Sequence, residues 1–295
     1  MSSISGESLR IIFIVLMGWS GFAFADAISK ELTTEYHPSL ILSFSGLFTG
    51  SLLCAWIVIH KGFKGFKSRN WKWLLARAAM IAITATGVVN AVSMIPLADL
   101  YGITFAAPFI AVLLSIFFLK EVVGWHRWLS VFVGFLGVII LLGPQFQQFN
   151  IGIIYAIAAM LSIAIGTIVI RKIGGYEYLP LFVLYPYLGI LFVNLPIATQ
   201  HLEPISLTDW PWLVANSVFV LIGQLGITYG TANAKSTASV APFVYIQVIW
   251  GVFFSIVFFD EIPALTTFAG LILIVAAGLF MIWRERTLNK QNIAR

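Results

Sequence analysis

The chain has 295 residues, of which 60% are hydrophobic and 10% are charged, and its mean hydropathy is +0.98. Soluble domains carry about 25% charged and about 45–50% apolar residues, so this composition excludes a water-soluble globule and favours a protein embedded in a bilayer. The net charge of +5 does not indicate a nucleic-acid partner, because the basic residues fall in connectors between apolar segments and not on a face with interleaved aromatic residues.

Ten segments are long and apolar enough to cross a membrane as helices. A helical crossing needs roughly 20 apolar residues, whereas a barrel strand has about 9–11 residues of alternating polarity. The segments do not alternate, and short connectors with Pro or Gly separate them, so we predict an all-α membrane protein with ten transmembrane helices. The predicted spans, one to ten, are Leu9–Ser29, Leu40–Ile59, Trp73–Ile95, Leu100–Leu119, Trp125–Leu142, Ile151–Ile170, Leu179–Ala198, Trp210–Thr231, Ser239–Phe259 and Leu265–Trp283.

The basic residues are distributed unevenly between the two sides. With a cytoplasmic N-terminus, 16 of the 17 Lys and Arg residues fall at the inner ends of the spans, and only Lys30 lies in an outer connector. Cytoplasmic connectors carry an excess of Lys and Arg, so both termini are predicted to be cytoplasmic. A cleaved signal peptide is the competing interpretation, since Ala23-Phe24-Ala25 resembles a signal-peptidase site. Cleavage would leave nine spans, and we therefore expect the first span to be retained.

A seven-residue segment recurs at a spacing of 140. Ser115-Ile-Phe-Phe-Leu-Lys-Glu121 reappears as Ser255-Ile-Val-Phe-Phe-Asp-Glu261, and each copy closes an apolar segment. A unit of this length holds five spans, which is an odd number, so the second copy enters the membrane from the opposite side. We predict two inverted five-helix repeats, residues 1–145 and 146–295, with Glu121 at the inner face and Glu261 at the outer face. Inverted repeats are typical of secondary transporters.

Further residues give the chain a family resemblance. They are Trp19-Ser20, His37-Pro38, Asn90-Ala91, the stretch from Pro108 to Glu121, Ala241–Gln247, Phe259–Pro263 and Gly270. This pattern resembles the EamA-type transporters of the drug/metabolite transporter superfamily over nearly the whole chain. The resemblance implies a ten-helix carrier of small metabolites in the bacterial inner membrane, often an amino-acid exporter. It also implies a substrate cavity lined chiefly by spans three, four, eight and nine.

Two features depart from the family pattern. An arginine that is common in the second span appears here as Ser45. The first-span carboxylate of the small multidrug relatives has no equivalent near Ile14–Trp19. Coupling of transport to a proton through such a carboxylate is therefore left open.

Polar and aromatic residues within or at the ends of four spans form a candidate substrate site. An unpaired polar group in a bilayer is costly and tends to be functional, although contacts between helices explain such groups as well. Aromatic rings with amides suit a zwitterion or a flat apolar metabolite. The candidate substrate-binding residues are Asn90, Ser93, Tyr101, Gln224, Tyr229, Tyr245, Gln247 and Trp250.

Three carboxylates are candidates for gating or coupling: Asp26, Glu121 and Glu261. Asp26 and Arg77 each lie about one helical turn inside a span end, where snorkelling to the interface is the expected behaviour, and a coupling role for Asp26 is the alternative. Glu121 and Glu261 lie at helix C-termini, where the helix dipole disfavours a negative charge. We expect a compensating group at each, such as the N-terminus of a neighbouring helix.

Enzyme signatures are absent from the sequence. It contains no HExxH, GxSxG or phosphate-binding loop, and its four histidines lie at span ends without metal-ligand spacing. We expect no enzymatic activity, cofactor or metal, and expect a small-molecule substrate and the lipid bilayer as partners. One alternative is a membrane-embedded enzyme for a lipid or isoprenoid substrate, which needs a cluster of acids or histidines at one interface. The other alternative is a membrane channel.

Overall fold

The computed structural model of the protein describes residues 6–119, 124–142, 150–173, 178–233 and 240–293. Within these ranges the chain is helical and contains no strand. Short 3-10 turns occur at Gly62–Phe66 and Ala241–Tyr245. The α-helices of these ranges, in chain order, are α1 (Gly6–Leu32), α2 (Pro38–Lys61), α3 (Trp71–Val92), α4 (Leu97–Thr104), α5 (Ala107–Leu119), α6 (Trp125–Leu142), α7 (Ile151–Ile173), α8 (Leu179–Ala198), α9 (Trp210–Asn233), α10 (Ile246–Val257) and α11 (Leu265–Ile293).

Eight helical segments of the described residues have the length and apolar character of a membrane crossing, which confirms the predicted all-α membrane class. They coincide with predicted spans one to four, six to eight, and ten. Predicted spans five and nine appear as the shorter apolar helices Trp128–Leu142 and Pro242–Val257. A total of ten crossings therefore stays a prediction.

Predicted span four is not one continuous helix. α4 ends at Thr104 and α5 begins at Ala107. Pro108 has no backbone N–H and its ring crowds the preceding turn, which accounts for an interruption at this point. The prediction of an unbroken helix over Leu100–Leu119 is wrong in this respect, and the helical segment also begins earlier than predicted.

Predicted span nine is interrupted at the equivalent place. The 3-10 turn that contains Pro242 ends at Tyr245, and α10 begins at the next residue. Phe105, in the junction between α4 and α5, is 140 residues before Tyr245, and the two rings pack edge to face with their centroids 5.5 Å apart. Interrupted helices near the centre of a bundle often line a binding site in transporters. The two junctions bring the middle of both spans together.

Glycines allow two helix pairs to approach closely. A methyl group added at Gly226 of α9 would lie 2.9 Å from the carbonyl oxygen of Ile14 on α1. A methyl group added at Gly87 of α3 would lie 2.7 Å from the carbonyl oxygen of Tyr155 on α7. Small residues let helix backbones pack directly against each other in a membrane. They hold α1 against α9, and α3 against α7.

Both the interior and the surface of the bundle are apolar. The largest buried cluster contains residues of α1, of each helix from α3 through α7, and of α10 and α11. Large side chains such as Phe13, Phe192 and Ile272 are exposed on the outside. Because lipid is as apolar as the core, close packing and hydrogen bonds between helices hold such a bundle together.

Candidate functional site

A carboxylate and a phenol meet between α1 and α4. The Tyr101 hydroxyl donates a hydrogen bond of 2.8 Å to Oδ2 of Asp26. Tyr101 is 3% exposed and Asp26 is half-buried. Among the described residues, no Lys, Arg or His nitrogen lies within 4.0 Å of this carboxylate. Carboxylates inside a membrane protein are usually paired with a cation, whereas Asp26 has a neutral donor and remains partly accessible.

One face of α10 borders this pair. Gln247, Trp250 and Gly251 are three and four residues apart and so lie on the same side of the helix. Gly251 packs against Tyr101, because a methyl group there would be 2.5 Å from the ring. Gln247 is 6% exposed, and its amide has no hydrogen-bond partner within the described part of the chain. An amide that can both donate and accept and is not engaged by its neighbours is available to a ligand or to water.

Aromatic rings hold Trp250 in place. Its indole Nε1 donates a hydrogen bond of 2.9 Å to Oγ of Ser20 on α1. The centroid of the Phe24 ring lies 5.0 Å from that of Trp250, and the centroid of Phe254 lies 5.6 Å from it. Trp250 is half-buried, so its ring is both fixed in orientation and partly accessible.

Tyr245 extends the aromatic lining beyond the junction between α4 and α5. Phe105 stacks on Tyr101 with the ring centroids 5.9 Å apart, and on its other side packs against Tyr245. The Tyr245 hydroxyl rests against Gly278 of α11, where there is no room for a methyl group. Phe105 thus links the ring bonded to Asp26 with the second interrupted span.

An ion pair joins α1 to the segment after α10. Lys30 Nζ lies 2.9 Å from Oε1 of Glu261 and donates a hydrogen bond of 3.1 Å to the carbonyl oxygen of Ile95. Asp260, with a φ of 51°, turns the chain at this point, and a left-handed conformation is uncommon for a residue other than glycine. The group that compensates Glu261 is therefore Lys30 and not a helix N-terminus. Glu121, the other predicted gate carboxylate, lies outside the described residues.

Two further contacts lie at the same end of the bundle. The Tyr36 hydroxyl donates a hydrogen bond of 2.6 Å to Oδ2 of Asp209, and this donation raises the pKa of Tyr36. The rings of His37 and His201 stack with their centroids 4.0 Å apart. Burial, together with the nearby His201, lowers the pKa of His37. These contacts join the connector after α1 to the connector between α8 and α9.

The comparison with protein families gives a match in both halves of the chain. The model described as the EamA-like transporter family matches residues 9–143 and again residues 150–283. The chain belongs to the EamA-like transporter family. The resemblance noted in the sequence is thereby confirmed.

Relatives of this EamA-like transporter differ in what their names say they carry. It is 27% identical over 270 residues, 90% of each chain, to the S-adenosylmethionine uptake transporter of Rickettsia conorii. It is 25% identical over 272 residues, 90% of this chain and 93% of the other, to the pseudopaline exporter CntI of Pseudomonas aeruginosa. These relatives and the family place the protein among multi-pass membrane transporters of the drug/metabolite transporter superfamily.

A solved crystal structure shares the fold of this EamA-like transporter. The TM-score is 0.65 at 16% sequence identity, and the match covers 95% of this chain and 97% of the other. At this identity the likeness concerns the fold alone.

The predicted site residues of the EamA-like transporter fall into two groups. One group surrounds the contact of α1, α4 and α10 and consists of Asp26, Tyr101, Tyr245, Gln247 and Trp250. The residues of the other group bond to nearby residues of the chain or are exposed. Asn90 and Gln224 hydrogen-bond within their own helices, Ser93 is exposed and bonds to the Asn90 carbonyl, and Tyr229 is 38% exposed.

Asp99 is a buried polar residue that the sequence patterns do not single out. It is 3% exposed, and Oγ1 of Thr267 on α11 donates a hydrogen bond of 2.8 Å to its Oδ1. The sequence Pro96-Leu97-Ala98-Asp99 suggests an exposed connector, yet it is the buried first turn of α4. An acidic residue just after a proline at a helix start is the signal that could have located it.

Ser45, which the sequence resemblance aligns with an arginine common in the second span, belongs to a buried hydrogen-bond network. Its hydroxyl donates a bond of 3.0 Å to Oδ1 of Asn216. The Asn216 amide donates two bonds of 2.8 Å, to the Ala25 carbonyl and to the Ser29 hydroxyl. All the side chains in this network are buried. It joins α1, α2 and α9 without any charge.

The expectation that Asp26 and Arg77 snorkel to the interface is wrong for both. Asp26 bonds to Tyr101 inside the bundle, as described above. Arg77 is 4% exposed; its Nη1 donates a bond of 2.7 Å to the Phe182 carbonyl, and its guanidinium lies 3.8 Å from the centroid of the Phe182 ring. A carbonyl and an aromatic face stabilise part of the guanidinium inside the protein, while its buried Nε has no hydrogen-bond partner among the described residues.

An apolar groove of about 620 Å³ runs along the start of α9. It contains none of the predicted site residues. Its lining residues are Leu207, Trp210, Pro211, Val214, Ala215, Val218 and Phe219.

Proposed function

We propose that this EamA-like transporter is a secondary carrier that exports a small, amino-acid-like metabolite by alternating access. The observation that carries the proposal is the Asp26–Tyr101 pair beside the unpartnered Gln247 amide and the fixed ring of Trp250. These groups come from α1, α4 and α10 and lie next to the two interrupted spans. A few convergent polar groups in an aromatic surround are typical of small-molecule sites.

Two contacts that each join the first half of the chain to the second correspond to one another. They support a duplicated architecture of residues 1–145 and 146–295. Gly226 packs on Ile14 between α9 and α1, and Gly87 packs on Tyr155 between α3 and α7. The glycines are 139 residues apart and their partners are 141 apart. The family model begins its two matches at residues 9 and 150, again 141 apart. Because each unit holds five spans, which is an odd number, the second unit is inverted relative to the first.

Contacts among connectors support this topology. The connectors predicted to lie outside follow spans one, three, five, seven and nine. Lys30 contacts Glu261, Tyr36 contacts Asp209, and Asn150 donates a hydrogen bond of 3.1 Å to the Met94 carbonyl. Each contact joins two such connectors or the helix ends beside them, as ten crossings with both termini inside would require.

In this scheme the Lys30–Glu261 pair is the latch of the outer gate. It binds the first-half helix α1 to the second-half segment after α10, so outward opening has to separate the two charges. Oε2 of Glu261 is buried and has no hydrogen-bond partner within the described residues. The pair is therefore incompletely satisfied when closed, which keeps the cost of opening low.

Counterflow in proteoliposomes tests the transport proposal. Vesicles loaded with an unlabelled amino acid or with S-adenosylmethionine would be diluted into the same labelled compound, with protein-free vesicles as the control. We expect exchange for at least one compound of the panel, and net efflux when the gradient is directed outward. Absence of exchange for every compound would contradict the proposal.

A further inference from the structure

The Asp26 carboxyl group of this site has no Lys, Arg or His nitrogen within 4.0 Å among the described residues. Lys30 is paired with Glu261, and Arg77 is bound by the Phe182 carbonyl and ring. Asp26 receives only the neutral Tyr101 hydroxyl. A partly accessible carboxylate in a membrane-spanning helix with no counter-charge is suited to a cation that comes from outside the protein.

The aromatic surround of this carboxylate is suited to the same kind of ligand. The Trp250 ring is held by its bond to Ser20 and by the rings of Phe24 and Phe254. A fixed, partly accessible indole is the side chain that attracts organic cations most strongly. Gly251, next to Trp250, touches the Tyr101 ring that carries the bond to Asp26. The indole and the carboxylate therefore border one region between α1, α4 and α10.

Gln247 supplies a neutral polar group in the same region. Around the axis of α10, Gln247 lies between Trp250 and Gly251. Trp250 contacts α1 and Gly251 contacts α4. The residue is 6% exposed, and its amide makes no hydrogen bond within the described residues. An amide can both donate and accept, so it suits the uncharged polar part of a ligand.

A matching site for a substrate carboxylate is not found among the described residues of these helices. Ser45, which the sequence resemblance aligns with an arginine common in the second span, is bonded to Asn216 and Ser217. Arg77, on α3, is engaged with α8. The groups of this site that are available to a ligand therefore suit a cationic end better than a carboxylate.

We propose that Asp26 and Trp250 form a subsite for an organic cation, in which an ammonium or sulfonium centre of the substrate is bound between the carboxylate and the indole. The inference rests on the proposed transport function, because it names the chemical class of the substrate at the same site. Asp26 supplies the charge, Trp250 supplies an aromatic face, and Gln247 binds a neutral polar group of the substrate.

Matched pairs of compounds isolate the contribution of charge. S-adenosylmethionine and S-adenosylhomocysteine differ by the methyl group that makes the sulfur cationic, and choline and 3,3-dimethyl-1-butanol differ by nitrogen in place of carbon. Their affinities would be measured by titration of the purified protein in lipid nanodiscs. We expect at least one cation to bind about tenfold or more tightly than its neutral partner.

Variants assign this preference to the subsite. Asp26→Asn is expected to bring the cation and its neutral partner within about threefold of each other, whereas Asp26→Glu keeps the preference. Trp250→Leu is expected to weaken cation binding by roughly 2- to 30-fold, the range of one cation–π contact. Glu31→Gln is the matched control, because it removes the same charge from an exposed site on the same helix. Monodisperse elution of each variant on gel filtration checks the fold.

The outcomes separate this inference from the transport proposal. Equal binding of cations and neutral partners by the unmodified protein, or a preference that survives Asp26→Asn, overturns the cation subsite. Counterflow of a neutral amino acid by a protein that shows no preference for cations also overturns the cation subsite, but it supports the transport proposal. Asp26-dependent cation binding without counterflow of any compound supports the subsite and contradicts transport.

Discussion

Phe105 and Tyr245 are 140 residues apart in the chain and in edge-to-face contact in the fold, with their ring centroids 5.5 Å apart. Each stands where its span is interrupted: Phe105 follows α4, and Tyr245 precedes α10. Such an aromatic contact contributes about 0.5–1.5 kcal/mol beyond the area it buries. The contact joins the two halves of the protein at the level of the candidate site, so the position of one ring constrains the other.

Substitution of Gly278 tests this constraint. The Tyr245 hydroxyl occupies the space that a side chain at Gly278 would need. Gly278→Ala is therefore expected to displace the ring and to destabilise the protein by about 1–3 kcal/mol, with a matching loss of counterflow. Tyr245→Phe in the same protein removes the hydroxyl and should restore part of the loss. Thermal unfolding in detergent measures the first effect and proteoliposome exchange the second.

Gly50→Ala is the control for this substitution. Gly50 also lies within a helix, but nothing is within 4 Å of a methyl group placed there. Alanine is the better helix former by about 0.5–1 kcal/mol, so the unfolding temperature should stay the same or rise. Equal destabilisation by Gly278→Ala and Gly50→Ala would mean that the contact with Tyr245 does not constrain the fold.

The latch between Lys30 and Glu261 can be tested by charge exchange. Lys30→Glu or Glu261→Lys places like charges together, and each is expected to shift the carrier towards the outward-open state. The double exchange should restore closure, with a coupling energy on the order of 1 kcal/mol for a partly exposed pair. Cys54→Ser removes the only native thiol. Ala27→Cys, one turn from Lys30, then reports opening through its labelling rate with a membrane-impermeant maleimide.

The expected order of labelling rates is specific to a latch. Each single exchange should speed labelling several-fold, and the double exchange should return it close to the starting rate. If all four proteins were labelled at the same rate, the pair would be a surface contact without influence on the gate.

The sequence predicts the helices of this protein well because long apolar segments leave few alternatives in a bilayer. The patterns that define a span do not predict where a span is interrupted. Pro108 is visible in the sequence, but a proline in a membrane helix can also be tolerated without a break. Only the structure shows that the junction at Phe105 meets Tyr245 of the other half.

Pairing between distant polar residues was the least predictable aspect. Lys30 and Glu261 are each recognisable as charges at span ends, yet nothing local relates residues 231 positions apart. Asp99 looks like part of a connector, but it is buried and accepts a hydrogen bond from Thr267 of α11. Tyr101, Gln247 and Trp250 are conspicuous within apolar spans, so the sequence singles them out as candidates. The bond of Tyr101 to Asp26 and that of Trp250 to Ser20 on α1 require the tertiary fold.

The network around Asn216 is predicted to stabilise the contact of α1, α2 and α9. Asn216→Leu removes the bonds to Ala25, Ser29 and Ser45 and leaves two buried hydroxyls and a carbonyl with fewer partners. Each unsatisfied group costs about 1–3 kcal/mol, so a marked fall in unfolding temperature is expected. Ser93→Ala, which removes an exposed hydroxyl bonded only within its own helix, is the control. A leucine variant as stable as the unmodified protein would show that packing alone holds these helices.

The stack of His37 on His201 predicts a dependence of stability on pH. Burial and the neighbouring His201 lower the pKa of His37 from its ordinary value of 6.5, while Glu203 acts in the opposite direction. The folded protein then binds fewer protons at His37 than the unfolded chain does. Stability conferred by the neutral ring is present above pH 6.5 and decreases as the pH falls below it, until the lowered pKa is passed. Protonation also removes the Nδ1 acceptor that binds the Ser39 N–H at the start of α2.

Unfolding temperatures between pH 8 and pH 5 would measure this effect. The unmodified protein should lose stability towards the acid end, and His37→Gln, which cannot be protonated, should lose less. His60→Gln provides the control, because His60 is exposed and its ring contacts only Trp56 of its own helix. If His37→Gln and His60→Gln had the same pH profile as the unmodified protein, the acid sensitivity would have to come from other titratable groups. The contact between the two connectors would then be insensitive to pH in this range.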